Sequence, residues 1–517
     1  MLTKKISSDT GNGALDLALD TIKVGKQGLV FVNTKRSAEK TAEDISKKVK
    51  TNNEKLVGLS EKILKALSKP TKQCERLGRC VKQGIAFHHA GLVAKQRELI
   101  EDNFRNGSIK IICATPTLSF GLDLPAFRAI LKDLRRYGPR GMAHIPVLEY
   151  LQISGRAGRP KFDKVGESIC VAVSENEKKK LYEKYVLGEP EEINSKLAVE
   201  PVLRTYLLSL IAANFVDSRK EIIDFFGKTF WAFQFMDMER LVYIIDKMLS
   251  LLEEWEFIDM KKEDFSDADK LNDGKVKATI MGKRVAELYI DPLTANFFIS
   301  CLKKGAKQKV NSFSFLQMIS HTLEIRPLLR AGVKDQEWLQ EKIVKFESFL
   351  LEKEPSIYSP EYEEYVHSIK TASMFHEWTN EKDEEFLLEN FNARPGEIRA
   401  KMSIGDWLLY ANSEISRILN FNDLNKEIVK LRFRLKHGVK EELLSLIKIK
   451  GIGRVRARKL FFNRIKDIKD VKNAELGKLI QILGKQVALS VKKQVGQEVK
   501  EVPKGKRKGQ VSLGKYD

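Results

Sequence analysis

The stretch IKIICATPTLSFGLD, residues 109–123, decides the fold class. Its first half is a short β-branched apolar run without helical spacing, and its second half is a hydroxyl-rich loop that reaches a glycine. A strand buried on both faces leaves a parallel sheet in this way. Working outward, GLVFVN (28–33), GIAFHH (84–89) and ESICVAV (167–173) repeat the pattern, with helical periods from Ser37 and near 93–105 between them. Strand and helix in alternation predict a parallel sheet with crossovers, so residues 1–190 read as one α/β domain. From residue 191 the periodicity turns helical in VLRTYLLSLIAANFV and LVYIIDKMLSLLEEWEFI. WEFIDM and KVKATI then flank Asn272-Asp273-Gly274 as two strand candidates. Helices followed by a β-ribbon predict a winged helix over 191–294. Residues 295–428 are almost wholly helical, punctuated at Pro327, Pro355, Pro360 and an Arg394-Pro395-Gly396 turn, and predict a helical bundle. Residues 429–500 hold LLSLIKIKGIGRVRARKLFF, two short helices hinged on Gly451-Ile452-Gly453, and 501–517 form a basic tail. The expected fold class is multidomain, α/β plus mainly α.

The 517 residues carry 91 Lys and Arg against 70 Asp and Glu, a formal charge of +21, and 43% hydrophobic residues exclude a disordered or fibrous chain. Residues 431–517 alone hold 24 basic and 8 acidic side chains, a concentration suited to gripping a polyanion such as nucleic acid. The five cysteines, at 74, 80, 113, 170 and 301, are too scattered for a disulfide framework, which points to a reducing cytoplasm. Cys74 and Cys80 stand too far apart for a zinc pair, so no metal site is expected. No apolar run is long enough to cross a bilayer, so no membrane partner is expected either.

Chemistry concentrates in a few places. In QISGRAGRP (152–160), which follows a strand-like IPVLEY segment, Arg156 and Arg159 stand three apart, close to one helical turn. Two planar, permanently charged forks directed into one cleft suit a γ-phosphate in transfer. Thr115 and Thr117 offer hydroxyls to phosphate, Gly121 allows close backbone approach, and Asp123 suits a ribose hydroxyl. Asn33 and Thr34 lead from a strand end into a helix N-terminus, a natural anion site. In DLRRYGPRGMAHIPV (133–147) a Gly-Pro turn is flanked by Arg135, Arg136, Tyr137 and Arg140; the basic, aromatic tip suits stacking on a terminal base pair, and the alternative is a solvated loop. Gly451 and Gly453 can present backbone N–H groups to a DNA phosphate, with Arg454, Arg456, Arg458 and Lys459 on the same side; the alternative is a plain helix–helix turn. Gln510, Leu513 and Tyr516 fit the spacing of a sliding-clamp peptide, against an unstructured basic end.

In order and spacing, FVNTKRSAE, FHHAGL, ATPTLSFGLDLPA and QISGRAGRP resemble motifs IV to VI of superfamily-two helicases. With VEPVLRTYLLSLIA, RVAELYIDPLTA, RPGEIR and the GIG hairpin, nearly the whole chain resembles archaeal DNA-repair helicases of the Ski-like branch, relatives of the helicase part of polymerase theta. The resemblance implies a second RecA-like domain, a winged helix, a helical ratchet bundle and a helix-hairpin-helix domain, in that order. It implies an ATP-dependent 3′-to-5′ DNA helicase that works in repair or at stalled forks, on single-stranded and forked DNA, with ATP and Mg2+, cytoplasmic and nucleoid-associated. Arg156 and Arg159 would be arginine fingers aligned by Gln152, and Gly121 and Asp123 would touch nucleotide, although the branch commonly has Asn in place of Asp123. Thr34 and Thr115 would hold phosphates of the tracked strand, and residues 133–147 would form a strand-separating β-hairpin. Trp407 would stack on a base, with Arg399 or Lys401 as its basic neighbour; Ala400 occupies the position two turns before it, so the resemblance does not fix that contact.

The 517 residues contain no G-x-x-x-x-G-K-[ST] loop and no acidic Walker B pair. The resemblance therefore implies either a partner chain that carries the first RecA-like domain or a truncated gene, and no useful ATP hydrolysis by these residues alone. A sliding clamp is a further implied partner. The rival readings are a non-catalytic DNA-binding clamp derived from a helicase and half of an RNA helicase.

Overall fold

Short apolar runs make short buried strands here. The computed structural model describes residues 6, 9–119, 124–138, 141–158, 163–197, 199–260 and 275–496. In chain order the strands are β1 (Gly28–Phe31), β2 (Ile85–His88), β3 (Ile111–Ala114), β4 (Arg128–Leu131), β5 (Arg135–Gly138), β6 (Gly141–His144), β7 (Glu167–Cys170), β8 (Ile258–Met260) and β9 (Val276–Ala278). Five of them form one sheet in the order β2-β3-β1-β4-β7, every pair parallel. All residues of β1 to β4 are buried, as in a parallel sheet covered on both faces.

Strand β4 has no counterpart in the sequence reading because it opens on a charge. Arg128 is fully buried, and its guanidinium is neutralised by Asp20, 2.6 Å away, and by Glu167 on the neighbouring strand. Buried charge is tolerated where it is paired. A second correction concerns IPVLEY. Instead of a strand, Val147–Ser154 is a helix that starts after Pro146, with Val147, Tyr150 and Ile153 buried at three-residue spacing. That helix ends before Arg156, Gly158 takes a left-handed φ of +97°, and Arg159 lies outside the described residues. The helix expected from Ser37 begins at Lys35, with Thr34 as its cap.

Beyond the α/β domain, helices Glu200–Ala212, Arg219–Gly227 and Met238–Glu254 precede the antiparallel pair β8–β9. The Asn272-Asp273-Gly274 segment between those strands lies outside the described residues. Helices Pro292–Gly305, Ser312–Ser320, Tyr362–Thr379, Pro395–Ile418 and Asn422–His437 follow. One continuous apolar core runs from Leu203 to Leu435, a second fills the α/β domain from Ala14 to Tyr185, and a third runs from Val439 to Val491. The divisions expected after 294 and after 428 both fall inside helices. Arg394-Pro395-Gly396 is not a turn between helices but the start of a 24-residue one, with Pro395 in the first turn, where its missing N–H leaves nothing unpaired. No helix among the described residues is long and apolar enough to cross a membrane.

The loop after Val147–Ser154 is pinned to the segment leading into β4. Ala126 N donates to the Arg156 carbonyl at 2.9 Å, and Gly158 N donates to the Ala126 carbonyl at 2.6 Å. Gly166 lies so close that a Cβ there would stand 2.3 Å from Gly158 N and 2.4 Å from the Ala157 carbonyl carbon. Backbone cannot yield as a side chain can. Gly166→Ala is therefore expected to destabilise the protein by about 2–3 kcal/mol, read as a lower urea midpoint; an unchanged midpoint would refute the close approach.

Candidate nucleic-acid interface

Loops at the carboxyl ends of parallel strands converge on one edge of the sheet, and ligands of open α/β sheets gather there. In this chain the edge opens into a cleft of about 650 Å³. One wall consists of strand exits: Asn33 to Arg36 after β1, Thr115 to Thr117 after β3, and Asp133 after β4. The facing wall is Asn392, Arg394 and Glu397, at the start of the long helix Pro395–Ile418. Arg136 of β5 and Glu149 also line the cleft.

Thr34 caps helix Lys35–Lys48 by accepting from Ser37 N at 3.0 Å, which leaves its hydroxyl hydrogen free to donate. Thr115 and Thr117 hydroxyls stand 2.9 Å apart. Asp133 fixes the β1 exit by accepting from Asn33 N at 3.3 Å. Arg136 lies 2.8 Å from Glu149, whose carboxyl is pushed up by burial and only partly pulled back by that guanidinium. Lys35 pairs with Glu397 across the cleft, and Arg36 is exposed. Hydroxyl donors, a helix N-terminus and guanidinium groups along one groove form a surface that can hold successive phosphodiesters without reading bases.

Thr34, Thr115 and Arg136 line the same cleft. Residues 135–138 and 141–144 do pair as an antiparallel hairpin, in the register Arg136↔Ala143 and Tyr137↔Met142. Arg135 lies outside the cleft, with Nε 3.2 Å from His144 Nε2 on the opposite strand. Arg140, Gly121, Asp123 and Arg159 lie outside the described residues, as do Gln510, Leu513, Tyr516 and the side chain of Tyr137. Gln152 is exposed in the last turn of its helix. Arg156 is half-buried and donates to the Ser119 carbonyl, tying its loop to the end of the segment that carries Thr115.

The three residues expected on the ratchet helix do not line the cleft. Trp407 is half-buried, with Nε1 donating to the Leu288 carbonyl at 2.9 Å, and Arg399 pairs with Glu384 at 3.0 Å. Lys401 is buried and donates to the carbonyls of Ile325 at 3.1 Å and Pro327 at 2.6 Å; burial lowers its pKa, and it acts as an interior strut. At the C-terminal hairpin Gly451 adopts φ +91°, and the space beside Gly451 and Gly453 is open. Arg456 is exposed and bonds the Gly451 carbonyl at 2.9 Å. Arg454 instead lies 4.7 Å over the Trp378 ring and bonds the Lys382 carbonyl, and Arg458 pairs with Glu381 and Glu442. Two of the basic side chains expected to face DNA thus hold the hairpin to the helices beside it.

Sequence reasoning missed Lys35, Arg36, Asn392, Arg394 and Glu397 as cleft residues. The signal was present in Arg394-Pro395-Gly396-Glu397, a helix-opening pattern with an acid in the first turn.

A model of the helicase conserved C-terminal domain matches residues 13–161, and a model of archaeal helicase domain 4 matches residues 313–438. The ATP-dependent DNA helicase Hel308 of Pyrococcus horikoshii is 38% identical over 500 residues, which cover 95% of this chain and 67% of that protein. Its namesake in Methanococcus vannielii is 36% identical over 529 residues, covering 95% of this chain and 69% of the relative. That of Methanocella arvoryzae is 38% identical over 500 residues, covering 94% and 65%. The chain spans about two-thirds of the length of these relatives. With likeness running through the sheet, its strand-exit loops and the helical wall opposite, the chain belongs to the archaeal Hel308 family of superfamily-two DNA helicases.

Proposed function

We propose that these residues form the DNA-gripping and arginine-finger portion of an ATP-dependent 3′-to-5′ DNA helicase that works on single-stranded and forked DNA in repair. The observation that carries the reading is the cleft, where Thr34 and Thr115 stand at adjacent strand exits opposite a helix of the domain that matches archaeal helicase domain 4. One DNA strand lies in it, held through phosphates by hydroxyls, the Lys35–Lys48 helix N-terminus and Arg36. The α/β domain acts as the second RecA-like motor domain, residues 191–294 as a winged helix, Pro395–Ile418 as the ratchet helix, and the turn at 451–453 as part of a helix-hairpin-helix. Trp407 and Arg399 serve the strand further along that helix. The β5–β6 hairpin parts the duplex, and the exposed Arg136 at its base leads the freed strand into the cleft.

ATP is bound on a facing first motor domain, supplied by a partner chain, whose Walker A and B residues hold its phosphates and Mg2+. Gly121 and Asp123 touch its far side. Arg159 and Arg156 neutralise charge as the γ-phosphate is transferred, with Gln152 ordering them. Arg156 leaves the Ser119 carbonyl to do so, and its Nε, buried without a hydrogen-bond partner, is free to take a new acceptor. The tail residues Gln510, Leu513 and Tyr516 recruit a sliding clamp.

Two outcomes test this reading. Single-strand affinity of the chain should fall steeply with salt, and Arg36→Ala should make the slope of log K against log[salt] shallower by about 0.7, measured by anisotropy of a labelled oligonucleotide; an unchanged slope removes Arg36 from the strand path. Mixed with a first motor domain from a Hel308 relative on forked DNA, the chain should support DNA-stimulated ATP turnover, and Arg159→Ala should lower it by about 10³-fold or more. A mixture with no stimulated turnover would leave a non-catalytic DNA clamp as the better description.

A further inference from the structure

The first turn of helix Pro395–Ile418 is fastened to the α/β domain at three points, and a carboxylate stands at the centre of them. Gly396 N, one of the donors a helix start leaves unpaired, bonds the Gly91 carbonyl at 2.9 Å. The approach admits no side chain, since a Cβ at Gly396 would stand 2.3 Å from the Ala90 oxygen and 2.4 Å from that of Leu92. Glu397 accepts from Arg394 N at 2.9 Å and pairs with Lys35. Arg394 Nε reaches across to Glu39 Oε1 at 3.1 Å.

Glu39 is buried, and its oxygens accept from Gln73 Nε2 at 2.8 Å, Arg76 Nη1 at 2.7 Å and Arg394 Nε, with His89 Nε2 3.2 Å away. Burial alone would raise its pKa, yet His89, Gln73 and Arg394 hold the carboxyl well below the usual range, so it is charged. Lys35 and Glu39 are four apart on one helix, whose N-terminus at Thr34 faces the cleft. One helix therefore carries both the strand-exit contact and the link to the opposite wall. Lys69–Asp383 and Lys72–Glu389 also join these two parts, but through exposed lysines that add little stiffness, and Lys72 N donates to Glu385 Oε2 at 3.0 Å.

We infer that Glu39 is a positioning residue that makes the α/β domain and helix Pro395–Ile418 move as one body, so that displacement of the motor domain during ATP turnover becomes displacement of the strand. The inference rests on the helicase reading above. Two variants break the joint by different means: Glu39→Gln keeps the shape and removes the charge, and Gly396→Ala wedges the backbones apart. In the assembly with a first motor domain, both should keep DNA-stimulated turnover within about twofold while base pairs separated per ATP fall by about tenfold or more. If unwinding and turnover fall in proportion, or neither falls, the positioning role is wrong. A second measurement on the chain alone is independent of ATP. Spin labels placed at the exposed Lys47 and Lys426 should give one narrow distance distribution, which broadens in both variants; an unbroadened distribution overturns the inference. Should the unsubstituted assembly show no turnover, the helicase reading fails and the distance distributions alone decide the joint.

Discussion

A buried carboxylate shared between two parts of the chain is the constraint on which the cleft depends. Glu39 belongs to the helix that leaves β1, and Arg394 belongs to the turn that opens the long helix on the far wall. A buried charge is tolerated only where it is paired, and Glu39 is paired within its own domain by Arg76 and across the cleft by the half-buried Arg394. The second of these pairings ties the helix that leaves β1 to the far wall and helps set the separation of the cleft walls. The contact of Gly396 with Gly91 adds a backbone hydrogen bond at a distance that only glycine permits. Coulombic and steric requirements thus select the same geometry.

The same logic recurs within the sheet. Arg128 can sit in β4 because Asp20 and Glu167 approach it from the helix before β1 and from β7, so one guanidinium ties three elements near the sheet's second edge. The Gly158–Gly166 approach then locks the loop that carries Arg156 against the lead into β4. Binding loops of α/β proteins are held by rigid scaffolds, and here the holding is done by a few paired charges and glycine contacts at the loop roots.

Much of this was legible in the residues. Strands β1, β2, β3 and β7 announce themselves as apolar β-branched runs, and the ribbon β8–β9 follows from two short strand patterns around a turn signal. Strand β4 was hidden because its first residue is charged, and only tertiary pairing makes that charge acceptable. IPVLEY misled because a β-branched start masked the three-residue spacing of Val147, Tyr150 and Ile153. Among the residues that line the cleft, Thr34 and Thr115 stood out as hydroxyls at strand ends, and Arg136 as a basic residue flanking a Gly-Pro turn. Lys401 was misread because a lysine on a helix gives no sign that it points inward to the carbonyls of Ile325 and Pro327. The Glu39–Arg394 link joins residues 355 positions apart, beyond the reach of any local pattern.

The cleft as the path of a nucleic-acid strand is the central claim, and photo-crosslinking reads it most directly. A single-stranded oligonucleotide carrying photoreactive bases is irradiated with the chain, and the modified peptides are mapped by mass spectrometry. Attachment within 33–36, 115–117 and 392–397, on both walls at once, is the expected result. Attachment confined to the basic tail beyond residue 500, with both walls unmodified, would contradict it.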